Sequence, residues 1–295
     1  MHEYDYGMND ALIRMRLMVL IVLATLSGGV WLLQSTAQAE NNSQYLTVTF
    51  LDVGQGDSIF IETSDGVQVL IDGGPGSGVL RNLGEVMGVR DRTIDMIIGT
   101  HPDKDHIGGL VDVLERYEVA TILTTENESG SAVASTYRSR IKNEGAEVTY
   151  ARRGQEFALG ASTTLRVLFP DLDPSDMESN SSSIVLQLMH GEIEFILTGD
   201  SPKGIEEYLV LLEGEHLKSE VLKIGHHGSR TSTSELFLNE VNPMFAVISA
   251  ERDSRYGHPH VEVTDMLFNA SVVTLSTAES GDITFVSDGA EVWVE

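Results

Sequence analysis

The stretch THPDKDHIGGL (residues 100–110) decides how this chain is read. It sets two histidines and two aspartates within residues 101–106, directly after the apolar run IDMIIG at 94–99. A solvated turn at a strand end needs no such pattern. His101, Asp103, Asp105 and His106 are imidazole and carboxylate donors, the ligand types that Zn²⁺ and Mn²⁺ accept. Residues 101, 103 and 105 alternate, so they can converge on one site if the loop stays extended, while His106 opens a helix beside Asp105. That spacing has room for two metals. Pro102 stops the preceding strand from continuing as a sheet element.

Working outward, YLTVTFLDV (45–53), SIFIET (58–63) and VQVLID (67–72) read as strands, with Asp65-Gly66 as a hairpin turn between the last two. SGVLRNLGEVMG (77–88) has helical spacing. After the central stretch, IGGLVDVLERY (107–117) reads as a helix with Leu110, Val113, Leu114 and Tyr117 on one face. A strand (119–125) and a helix ending at Gly145 follow. From about Gln155 the pattern resets to antiparallel strands, with His190-Gly191 as a turn, and then to alternating strands and helices. Pro202 sits just inside the start of one of these helices. Three strands close the chain. Two halves of like order predict an α/β protein with two sheets face to face and helices outside, a four-layer αββα sandwich spanning residues 46–295.

The first 39 residues stand apart. Arg14 and Arg16 precede the apolar run LMVLIVLATLSGGVWLLQ (17–34), and small residues stand at Ala37 and Ala39. Two readings remain open: a secretory signal cleaved after Ala39, or an uncleaved N-terminal membrane anchor. Residues 40–45 form a polar linker. Either reading makes the protein exported, whether periplasmic, extracellular or held at the outer face of the cytoplasmic membrane. The 295 residues contain no cysteine, which removes disulfides and thiolate metal sites from consideration. The net charge of −26 opposes non-specific adhesion to nucleic acid or anionic lipid. Nothing in the sequence argues strongly for a protein partner.

Five further motifs accompany HPDKDH in order: FLDVGQGDS (50–58), LIDGG (70–74), FILTGD (195–200), LKIGHHGS (222–229) and YGHPH (256–260). With them the chain resembles the metallo-β-lactamase superfamily, whose hallmark after a strand is H-x-H-x-D-H. Aspartate stands here at the second histidine position, Asp103. The variant set is similar to the hydrolase domain of ComEC-type DNA-uptake channels and its stand-alone relatives.

That resemblance implies a site. His101 and Asp103 would hold one divalent ion, Zn or Mn, and Asp105 and His106 a second. Asp200 would bridge the two, and His226 or His227 would complete the second site. Asp72 would orient the site without binding metal, and Asp57 would act beside it or on substrate. Asn180 falls where many relatives place a further histidine, so the first site is harder in character. His258 would contact a substrate phosphate or serve as a turn element.

The resemblance implies a metal-dependent phosphodiesterase or nuclease acting on a phosphodiester such as single-stranded DNA. Asp105, Asp200 and the histidine pair His226 and His227 would carry the chemistry, the spare histidine as general acid. The alternatives are a hydrolase of a small exported substrate such as a phosphocholine ester, and a non-catalytic, metal-stabilised binding protein. Lys104, Lys223, Arg230, Arg252 and Arg255 read as local positive charge or solvated surface, and His190 and His216 as surface residues. GGPGSG (73–78) reads as a flexible loop walling the site.

Overall fold

A computed structural model describes Tyr45 to Glu295 apart from Val89, and these residues form one compact unit. The expected signal or anchor, and the linker except for Tyr45, lie outside the described residues. Among the described residues no helix is long and apolar enough to cross a membrane.

The first half opens with strands β1 (Leu46–Phe50), β2 (Ile59–Glu62) and β3 (Gln68–Ile71). Helix α1 (Val79–Val86), strand β4 (Thr93–Gly99), helix α2 (Lys104–Val113), strand β5 (Glu118–Thr124), helix α3 (Ala132–Glu144) and strand β6 (Glu147–Tyr150) complete it. The second half repeats the order. Strands β7 (Glu156–Ala158), β8 (Thr163–Phe169), β9 (Val185–His190) and β10 (Ile193–Leu197) come first. Then follow α4 (Lys203–Glu213), β11 (Val221–Lys223), α5 (Glu235–Val241), β12 (Phe245–Ile248), α6 (Val261–Asn269) and β13 (Val273–Ser276). A one-turn helix α7 (Thr277–Ser280) precedes β14 (Ile283–Ser287) and β15 (Val292–Val294).

The eight-stranded sheet runs β15-β14-β1-β2-β3-β4-β5-β6 and the seven-stranded sheet β13-β12-β11-β10-β9-β8-β7. The period of two along each strand sorts side chains between layers. Val69 and Ile71 face the second sheet, where Leu186, Phe195 and Val221 meet them, while Leu70 between them faces Val79, Leu83 and Leu110 of the helices. On the far side Ile196, Leu222 and Ala246 pack against Leu209, Phe237 and Leu267. The four-layer αββα sandwich is therefore the observed architecture. Each fully buried aliphatic or phenyl side chain in it contributes about 1.5–3 kcal/mol.

Four details differ from the sequence reading. Helix α2 begins at Lys104, one turn before Ile107, because Asp103 already adopts the extended geometry of an N-cap. Strand β6 extends the first sheet with a largely exposed segment whose weak apolar alternation gives no strand signal. Of the three last strands only β13 joins the second sheet; β14 and β15 return to the first, Leu46 pairing with Ser287 and Phe50 with Ile283. His190 is buried, not superficial, its Nδ1 3.0 Å from Ser287 Oγ of the returning strand.

In each sheet one half is antiparallel and the other parallel: β3, β4, β5 and β6 run together in the first, β10, β11, β12 and β13 in the second. The motifs follow the carboxyl ends of these parallel strands, where open α/β sheets place their ligands. Asp72 follows β3, His101 follows β4, Asp200 follows β10 and the histidine pair follows β11.

Candidate metal centre

The loop after β4 is fixed by Asp72, whose own backbone has a φ of 57°. Asp72 Oδ1 accepts the Thr100 amide at 2.9 Å, and Oδ2 accepts the Thr100 hydroxyl at 2.6 Å and His106 Nδ1–H at 2.7 Å. Because the Thr100 proton is directed to Asp72, its oxygen accepts from His101 Nδ1, 3.1 Å away. One carboxylate thus sets the tautomer of both histidines and leaves both Nε2 lone pairs pointing inward. Carboxylates and hydroxyls behind metal-binding histidines act in this way.

The loop does not float free of the helix. Gly73 N–H donates to the His106 carbonyl at 2.7 Å, and a Cβ on Gly109 would stand 1.9 Å from the Gly73 carbonyl oxygen. The start of GGPGSG is therefore clamped against α2, which corrects its reading as a flexible loop.

The second sheet supplies the facing loop. After β11 a 3-10 turn (Gly225–Gly228) carries His226 and His227 with φ of 49° and 55°, in the left-handed region that non-glycine residues seldom occupy. The strained backbone separates the pair. His227 is buried and its Nδ1–H donates to the Ser249 carbonyl at 3.0 Å, which points Nε2 inward, 3.3 Å from Asp105 Oδ2 and 3.6 Å from Asp200 Oδ2. His226 is a quarter exposed, with Nδ1 near Asn180 Nδ2 and Thr231 Oγ1 and Nε2 3.7 Å from Asp200 Oδ2.

Asp200 is the hub, with Oδ1 3.3 Å from His106 Nε2 and Oδ2 3.9 Å from His101 Nε2. Asp103 stands at the rim, Oδ1 accepting from Ser179 Oγ at 2.6 Å and Oδ2 3.8 Å from His101 Nε2. Asn180 faces His226 and lies behind the cluster. His258 lies over the histidine pair, 5.5 Å from His226 between ring centres, because Pro259 packs against Gly228. Asp57 reaches in from the loop before β2, its Oδ1 3.3 Å from His227 Nδ1 and 3.0 Å from Lys223 Nζ. His101, His106, His226 and His227 therefore meet around Asp200, with Asp105 beside His227, while Asp72 and Asp57 contact the histidines from behind, Asp103 stands at the rim, and Asn180 and His258 touch His226.

Buried polar atoms normally find a partner. Here the Nε2 atoms of His101, His106 and His227 and Oδ1 of Asp200 are buried with no hydrogen-bond partner, and the three nitrogens lie 3.3–3.9 Å from the Asp200 carboxylate. Their donor set and common direction fit a divalent cation. Asp57, His106, Asp200 and His227 offer ligand atoms within 4.8 Å of one another. Electrostatics agree. Burial would lower His106, but Asp200 and Asp72 hold it well above the usual imidazole range, and the same balance lifts His227 to about 9. Burial would raise Asp200, yet His227 and His106 hold it well below the carboxylate range. His101, buried and facing His106, is pushed down to about 4. The cluster attracts positive charge strongly.

Sequence reading left Lys223 among five residues that read as local positive charge or solvated surface, and did not show that it is fully buried beneath this centre. Nor did it find the cavity of about 760 Å³ that opens beside His101, with Tyr137, Tyr150, Glu126, Glu128, Asp173 and Asp176 in its walls. Its walls come from β5, α3, β6 and the 173–176 segment, which no local pattern joins.

Comparison with known proteins agrees with this geometry. The family model for the metallo-beta-lactamase superfamily matches residues 51–249. ComE operon protein 3 of Bacillus subtilis is 31% identical over 257 residues, covering 81% of this chain and 32% of that protein. Recombination protein 2 of Haemophilus influenzae is 29% identical over 255 residues, covering 83% and 29%. The chain spans about a third of the length of these relatives. The metallo-beta-lactamase fold protein YhfI from Bacillus subtilis superposes with a TM-score of 0.53 at 12% identity, covering 84% of this chain and 99% of that one, a likeness of fold.

Proposed function

The chain belongs to the metallo-beta-lactamase superfamily, and from that premise we propose that it is an exported, metal-dependent phosphodiesterase that cleaves DNA. The observation that carries the hydrolytic reading is that three buried, unpartnered imidazole nitrogens gather around the Asp200 carboxylate at the carboxyl ends of parallel strands. His101, Asp103, Asp105, His106, Asp200 and His227 would hold two ions, Zn or Mn. Divalent ions bound there supply Lewis-acid activation of water and of a phosphoryl oxygen. The DNA substrate rests on the likeness to competence and recombination proteins. Export rests on Arg14, Arg16 and the apolar run at 17–34.

The chain's own residues perform the remaining tasks. Asp72 and Thr100 orient His101 and His106, and the Ser249 carbonyl orients His227, so the donors need no rearrangement. His226, a quarter exposed and 3.7 Å from Asp200, stands where it can deliver a proton to a departing oxygen. His258 stands next to it, its ring centre 5.5 Å from that of His226.

A second reading has one observation in its favour. Four carboxylates line the cavity beside His101 against Arg138 and Lys142, a wall better suited to a compact substrate with a neutral or cationic group than to a long polyanion. Tyr137 and Tyr150 in the same wall would contact such a group. The test is hydrolysis of a chromogenic phosphodiester, single-stranded DNA and a phosphocholine ester by the full chain with Mn²⁺ or Zn²⁺, beside Asp200→Ala. Metal-dependent cleavage of DNA that disappears in the variant supports the first reading, and cleavage of the phosphocholine ester alone supports the second. A metal-loaded wild type inert towards all three overturns both.

A further inference from the structure

Lys223 presents a puzzle: a fully buried ammonium lies directly beneath a cluster built to receive cations. A buried charge is costly unless paired. Its Nζ donates to the Ile224 carbonyl at 2.8 Å and lies 3.0 Å from Asp57 Oδ1. Asp57 is equally unusual. By distance it qualifies as a fourth ligand with His106, Asp200 and His227, and its Oδ1 has no aligned hydrogen-bond donor. Its backbone is fixed on both sides, Asp57 N–H donating to the Asp105 carbonyl at 3.2 Å and Gly74 N–H to the Asp57 carbonyl at 2.8 Å. With the backbone held, rotation of its side chain is the movement left to turn the carboxylate towards His106 and Asp200, whose ligand atoms lie within 4.8 Å of its own. The Lys223 charge opposes that rotation.

We propose that Lys223 determines which metal this centre prefers, by pairing with Asp57 and withholding its carboxylate from the ion held by His106, His227 and Asp200. The inference rests on the reading of the centre as a metal site. Imidazole nitrogen suits Zn²⁺, whereas added carboxylate oxygen and higher coordination number suit Mn²⁺. With Asp57 withheld, that side of the centre keeps two imidazoles, His106 and His227, beside the carboxylates of Asp105 and Asp200, a four-donor set that suits Zn²⁺. Released, Asp57 adds a hard anionic donor and moves the preference towards Mn²⁺.

The experiment measures equilibrium affinities of the full chain for Zn²⁺ and Mn²⁺ by chelator competition, with the visible spectrum of the Co²⁺ form as a second readout. It compares wild type, Lys223→Met, Asp57→Asn and the double variant. Lys223→Met lowers the Zn/Mn affinity ratio about tenfold, as expected for one added carboxylate ligand, and weakens the Co²⁺ bands as coordination number rises. The double variant returns to the wild-type ratio. Asp57→Asn alone leaves the ratio unchanged, because Asp57 is not a ligand in the wild type, and this arm stands even where Lys223→Met does not fold. A damaged frame would weaken both metals together and leave the ratio alone.

An unchanged ratio in a folded Lys223→Met, or a shifted ratio in Asp57→Asn, overturns the proposal. A folded wild type that binds neither metal overturns the metal-centre reading itself, a different failure.

Discussion

The two loops that face each other across Asp200 use the same device with different chemistry. Each is held by a buried carboxylate. Asp72 holds the loop after β4 through the Thr100 amide, the Thr100 hydroxyl and the His106 ring. Glu206 of α4 holds the segment after the histidine pair through two backbone amides, Thr233 N–H at 2.7 Å and Ser234 N–H at 2.7 Å. Asp72 touches a histidine and so transmits its charge to the centre. Glu206 touches no histidine, and burial outweighs the Ser234 and Thr233 hydrogen bonds and the Lys203 charge and lifts it to about 7. The first clamp acts on the chemistry, and the second acts on the shape of the loop.

The sharpest test of this contrast lies within the second loop. His227 is fixed by a carbonyl that can only accept, whereas His226 is partly exposed and loosely held. His227→Ala is expected to lower divalent-metal affinity on the order of a hundredfold or more, and His226→Ala less than about tenfold, since losing a ligand exceeds losing a neighbour. Isothermal titration with Zn²⁺ measures both, and equal losses would erase the distinction between the two histidines. Next comes Asp72→Asn. It keeps the size of the side chain but presents an amide to His106, and metal affinity should fall about 10- to 100-fold, the usual effect of losing such a partner.

The smallest effect concerns the second clamp. Glu206 goes from 4.5 to about 7 on folding, so between those values the folded protein holds a proton that the unfolded chain has released. Stability therefore falls as pH rises through that window, by about 3 kcal/mol from this group, and is level above it. Glu206→Gln should flatten this part of the profile of urea midpoint against pH. A variant whose profile parallels the wild type would remove Glu206 from the account.

The sequence disclosed the frame of the site better than its inner workings. HPDKDH and its companion motifs located the strand ends, and apolar spacing located most helices, because both signals are local. The choice between His226 and His227 was not legible, since it depends on two positive φ angles and on Ser249, which lies 3.0 Å from the ring in space but just past the end of another strand, β12. Lys223 looked like any charged residue after a strand. Only the packing of two sheets shows that its partner is Asp57, from the opposite half of the chain. The return of β14 was hidden because its partner is β1 at the other end of the folded chain, and β6 because its own largely exposed residues carry little pattern.

That return of β14 has a consequence for how the protein is made. Every residue that meets at the centre lies between Asp57 and His258, so the chemistry is present in the nascent chain well before synthesis reaches Ile283. The frame is not. β1 sits between β2 and β14, and Asp282, just ahead of β14, accepts the Asp52 amide at 2.6 Å and the Asn82 side-chain amide at 2.9 Å, tying down the loop that bears Asp57. A ribosome that stalls beyond His258 but short of Asp282 would release a polypeptide with a full set of donors and one flank of β1 unpaired. Such a fragment exposes a sheet edge to aggregation or proteolysis. Late closure therefore couples competence for metal to completion of the chain.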